Sequence, residues 1–63
     1  PVRPETILAA IERRQRDIAD EAIATSDDAA TLRAKGVYAG LDEARGIIIS
    51  LLEDADARER EGR

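Results

Sequence analysis

The chain contains no cysteine, histidine, methionine, tryptophan or phenylalanine. Each absence removes a chemistry. Without cysteine there is no disulfide and no thiolate metal site, and nothing from which to read a redox compartment. Without histidine or cysteine, Ser–His and Cys–His nucleophile–base pairs are impossible and imidazole cannot ligate a metal. Ser50 and the single aromatic, Tyr38, therefore have no base to activate them. No apolar run reaches the ~18 residues of a membrane-spanning helix, and no basic, apolar, small-residue signal pattern opens the sequence. A cytoplasmic or virion-associated location is the expectation, with no membrane contact.

The length of 63 residues allows one domain. A domain of this size buries only about 60% of its unfolded surface and is marginal alone, so a second copy or a partner is the usual remedy. Net charge is −4, from 14 acidic and 10 basic residues mixed along the chain. That balance disfavours nucleic acid, whose nonspecific binding needs a basic surface to displace counterions. The basic residues are nearly all arginine, and Lys35 is the one lysine; with the many alanines, this fits a high-GC coding sequence.

The spacing predicts a first helix from Pro4 to about residue 24. Proline suits a first helical turn, where its missing N–H would be unpaired anyway, and Glu5 follows at the positive helix end. Leu8, Ile11, Gln15, Ile18 and Ala22 then recur at helical spacing as one stripe. The other side carries Glu12–Arg16, Arg13–Asp17 and Arg16–Asp20 as i,i+4 pairs. Gln15, polar within the stripe, could set register or could meet water at its edge. In the stretch ATSDDAAT, Thr25 or Ser26 suits an N-cap, Thr25 with Asp28 resembles a capping box, and Asp27 and Asp28 fall in a first turn. A second helix is expected from about 27 to about 58, with a seam of Ala34, Val37, Leu41, Ala44, Ile48, Leu51 and Ala55. Residues 59–63 read as a frayed charged tail.

The two seams are out of register by two residues. One straight helix would wind its apolar stripe to another side; a turn at about 24–27 resolves the conflict. The expectation is an all-α, coiled-coil-like, two-helix antiparallel hairpin. One long bent helix is the alternative, because no Gly or Pro forces the turn.

Gly36, Gly40 and Ala44 share one strip of the second helix. A mid-helix glycine costs about 1 kcal/mol relative to alanine, so two on one strip suggest close approach of another backbone: Ala19 and Ala22 of the first helix, or a second copy. Ile47, Ile48, Ile49, Leu51 and Leu52 occupy more than one face, and Tyr38 is expected beside Ile49 on the outer flank. The first helix is too narrow to cover that circumference. Antiparallel self-association of two hairpins into a four-helix bundle, as a homodimer or higher, is the simplest cover. The candidate protein interface is Gly36, Tyr38, Gly40, Leu41, Ala44, Ile47, Ile48, Ile49, Leu51 and Leu52.

No cofactor, metal or catalytic site emerges. Asp27/Asp28 and Asp54/Asp56 do not converge on a helix and form no calcium loop. Arg13, Arg14 and Arg16 point in different directions among acids, as on a solvated face. The segment LRAKGVYAGLDEARGIIISLLE resembles the second helix of small helical-hairpin proteins from phages of high-GC bacteria, through Leu32, Arg33, Gly40, Leu41, Ala44 and Arg45. That resemblance implies a small accessory or structural phage protein with no catalytic residues. From the residues, the expectation is a noncatalytic interaction protein that self-associates and docks onto another protein. The alternatives are an acidic inhibitor of a host protein and a small DNA-associated regulator whose arginines are gathered by dimerisation.

Overall fold

The computed structural model describes residues 1–62. It is an all-α hairpin of α1 (Pro4–Ala24) and α2 (Asp28–Glu61), running antiparallel. Pro4 occupies the first helical turn of α1, where the Arg3 carbonyl accepts the Thr6 and Ile7 N–H groups at 3.0 and 3.3 Å.

The turn forms without glycine or proline because side chains supply its hydrogen bonds. Thr25 and Asp27 are both extended (ψ 145° and 114°), which breaks the helix. The Asp27 N–H donates to Thr25 Oγ1 at 3.2 Å, and the Ala29 N–H donates to Asp27 Oδ1 at 3.0 Å. The N-cap of α2 is therefore Asp27, later than the Thr25 or Ser26 expected, and Thr25 binds the amide of Asp27 rather than that of Asp28. An aspartate carboxylate at an N-cap is among the best acceptors for these otherwise unpaired amides. Among the described residues no non-glycine φ is positive, so the turn is unstrained.

At its far end α2 runs on to Glu61, through residues expected to fray. Arg58 and Arg60 lie in the last turn, beside the negative end of the helix, and Arg60 is 3.2 Å from Asp56. Arg63, also part of the expected tail, lies outside the described residues.

The core is small. Among the described residues only Ile18 and Gln15 are buried, at 4% and 6% exposure. Leu8, Ile11 and Ala22 flank them on α1, so the expected seam of α1 is the one that packs. The seam of α2 differs from expectation. Ala34, Leu41, Ala44 and Ile48 are partly buried as anticipated, but Val37 and Leu51 are 50% and 61% exposed and Ala55 is exposed as well. Tyr38 and Arg45 face α1 in their place. Gln15 Nε2 donates to the Tyr38 carbonyl at 3.3 Å, and Arg45 Nε lies 4.0 Å from Glu12 Oε1. The observed seam, Ala34–Tyr38–Leu41–Arg45–Ile48–Leu52, keeps the alternating three- and four-residue spacing and is rotated slightly about the axis. Both series satisfy the same periodicity, and the Gln15 and Glu12 contacts select between them.

The expected ion pairs along α1 are not those formed among the described residues. Arg45 instead bridges to Glu12 across the groove and to Asp42 at 3.8 Å, and Arg14 lies 3.8 Å from Glu21.

The hairpin is elongated, 55 × 19 × 15 Å, with a radius of gyration of 15.7 Å. A compact chain of this length would have about 11 Å. The helices have unequal lengths, 21 and 34 residues, so α2 extends roughly 20 Å past its neighbour at 1.5 Å rise per residue.

Candidate interaction surface

Of the ten residues expected at an interface, α1 partly covers Leu41, Ala44, Ile48, Ile49 and Leu52, and leaves Gly36, Tyr38, Gly40, Ile47 and Leu51 exposed. The set therefore divides between two faces of α2. Leu41, Ile48 and Leu52 lie beneath α1 and hold the hairpin together. Ile47 and Leu51 point elsewhere, at 57% and 61% exposure.

Tyr38 is not on the outer flank. It lines the groove between the helices, an open space of about 330 Å³ shared with Gln15, Arg16, Ala19, Asp42 and Arg45, and remains 43% exposed. Ile49 is partly buried. It sits on the flank of α2 nearest α1, so of the expected greasy pair on opposite sides only Ile47 is left uncovered.

The uncovered face has an order of its own. Val37, Gly40, Ile47 and Leu51, with the partly covered Ala44 between them, recur at alternating spacings of three and four, the 3.5-residue repeat of a coiled-coil seam. At 100° per residue this strip is centred about 100° from the seam beneath α1. α2 thus carries two apolar seams and α1 covers one of them. Sequence reasoning missed Val37, because it assigned Val37 and Leu51 to the internal seam. The signal was present: Val37 and Leu51 fit the spacing of Gly40, Ala44 and Ile47 as well as that of Leu41 and Ile48.

The glycines belong to the uncovered side. A Cβ built on Gly36 or Gly40 would meet nothing within 4 Å. Neither glycine is needed for α1 to approach α2, so the internal alternative of Ala19 and Ala22 as their partner strip is excluded in this hairpin. Gly46, equally open, lies on a different side, near the far edge of the helix from that strip.

Among the described residues, no three acidic side chains converge as a metal site would require. The carboxylate of Asp27 is committed to capping α2. No buried side-chain polar atom among the described residues lacks a hydrogen-bond partner, so nothing in the core is left pointing at an absent ligand. Among the described residues no helix is long and apolar enough to cross a membrane.

No protein-family model, curated protein or solved structure matches the chain.

Proposed function

We propose that the chain is a noncatalytic interaction protein that acts by helix–helix association, with itself and with another protein, through the outer face of α2. The observation that carries this reading is the seam of Val37, Gly40, Ala44, Ile47 and Leu51. It has the spacing of a packed helix interface, and three of its large side chains, Val37, Ile47 and Leu51, are at least half exposed. A soluble helix needs one apolar stripe to dock on a neighbour; α2 maintains a second. Exposed contiguous apolar surface of this kind marks interaction sites. The phage accessory or structural role implied by the resemblance of residues 32–53 suits such a protein, as does a virion-associated or cytoplasmic setting.

A photo-crosslinking side chain placed at Ile47, compared with one at Asp20 on the polar side of α1, tests this reading in the native extract. Covalent protein adducts should form from position 47, whether to the chain itself or to another protein, and not from position 20. Absence of adducts from position 47 would contradict it.

A further inference from the structure

The observations on α2 go further and specify what covers the outer seam and in which direction. Resting on the reading of α2 as an association surface, we propose that a second copy of this chain packs antiparallel against Val37–Leu51, about a two-fold axis that crosses α2 between Gly40 and Ala44.

Area is the first support. The chain exposes 5188 Å² for a mass of 6.9 kDa, where a compact monomer of that mass exposes about 4,000 Å². The surplus of roughly 1,200 Å² per copy exceeds the ~800 Å² that each partner contributes to a stable interface. Closing the seam of one copy on that of another therefore brings the surface near the ordinary range without a third molecule.

Side-chain size is the second. The seam is narrowest at Gly40 and Ala44, with Val37 bordered by Gly36 at its N-terminal end and the larger Ile47 and Leu51 at its C-terminal end. In an antiparallel pair each knob enters a hole of four residues on the facing helix. An axis between Gly40 and Ala44 sets Ile47 of the partner copy into the hole formed by Arg33, Gly36, Val37 and Gly40. Two of those four residues lack a Cβ, and their outer side is open. Gly40 then lies beside Ala44 of the partner copy, which lets the backbones approach closely at the crossing. A parallel pair would set Gly40 on Gly40, leaving a void between the flanking Val37 and Ala44 layers.

Charge is the third. Arg33 and Asp54 continue the seam at its two ends by the same spacing, and both are exposed. Among the described residues, neither lies in an ion pair within the protomer. The antiparallel arrangement brings Arg33 of each copy within reach of Asp54 of the other, twice per dimer. A parallel arrangement would oppose arginine to arginine and aspartate to aspartate. Size and charge thus select the same direction, and a C2 interface requires such self-complementarity.

The absence of native cysteine permits a direct test. Ser50 is exposed and lies beside the seam, so Ser50→Cys is nearly isosteric and carries one spin label per copy. With the axis between Gly40 and Ala44, the two Ser50 positions are separated by about sixteen residues of helix rise, or roughly 25 Å. In a parallel pair they would be about 10–15 Å apart, near the spacing of packed helices. A distance near 25 Å in a dimer is the expected result. A distance of 10–15 Å overturns the antiparallel pairing while leaving the association reading intact. A chain that sediments as a monomer up to several hundred micromolar overturns the pairing altogether; adducts from position 47 to a different protein would still uphold the association reading. Charge reversal provides an independent readout at low ionic strength. Arg33→Glu and Asp54→Arg should each weaken dimerisation by roughly fivefold, and the double variant should restore it. Single variants without effect, or a double variant weaker than either, would contradict the pairing.

Discussion

Glycine 46 separates helix propensity from association at a single residue. All three mid-helix glycines of α2 have open space where a Cβ would go. Replacement by alanine should therefore stabilise the helix by about 0.5–1 kcal/mol at each. For Gly46→Ala, away from the outer seam, that gain should appear in thermal melts with oligomer mass unchanged. For Gly40→Ala, the dilute monomer should gain similarly while the dimer dissociates at higher concentration, because the added methyl fills the site that Ile47 of the partner copy enters. Equal effects of the two on the dimer would show that Gly40 is an incidental glycine. Within the hairpin, Ile18 is the most buried apolar side chain, and Ile18→Ala should cost about 2–4 kcal/mol by chemical denaturation. Gln15 was legible as a polar residue inside the seam, but not its setting. It is buried, not washed by water at the edge, and its amide is satisfied by a helical carbonyl. That bond depends on the rotation of α2 about its axis, which residue type does not encode.

As an element, α2 is a helix with two seams, and this explains both what the sequence disclosed and what it concealed. The hairpin was legible because the apolar stripes of the two helices cannot lie on one straight cylinder. The bounds of α1 were legible because Pro4 starts it and the stretch from Thr25 to Asp27 offers side-chain acceptors to stop it. The rotational setting of α2 was not legible. Val37 and Leu51 fit the periodicity of either seam, and the choice rests on tertiary contacts of Gln15 and Glu12 with Tyr38 and Arg45. Nor was the extension to Glu61 foreseen, since the charged end reads as tail until the arginines are seen in the last turn. The turn itself is held by side chains, so Asp27→Ala should lower stability by about 1 kcal/mol, and an asparagine there should preserve it. A thermal melt in which Asp27→Ala matches the parent would mean that the turn is fixed by packing alone. The choice of mutation at the greasy end follows from the same rotation. Ile49→Glu would strike the hairpin interior, whereas Ile47→Glu strikes the outer seam and should abolish self-association while leaving far-ultraviolet helicity nearly intact.

The whole molecule is elongated and has a small core. The two buried residues among those described and the radius of gyration of 15.7 Å belong to a hairpin that gains little protection from its own fold, and isolated helices of this kind are held mainly by tertiary packing. If the outer seam of α2 closes on a second chain, folding and association share one equilibrium, and stability must then rise with concentration by mass action. The direct test is the midpoint of thermal unfolding, followed by circular dichroism from a few micromolar to several hundred micromolar. A midpoint that climbs by several degrees across that range, and ceases to climb in Ile47→Glu, is the expected result. A midpoint independent of concentration in a species of 6.9 kDa would contradict the claim that α2 depends on a second chain for its cover.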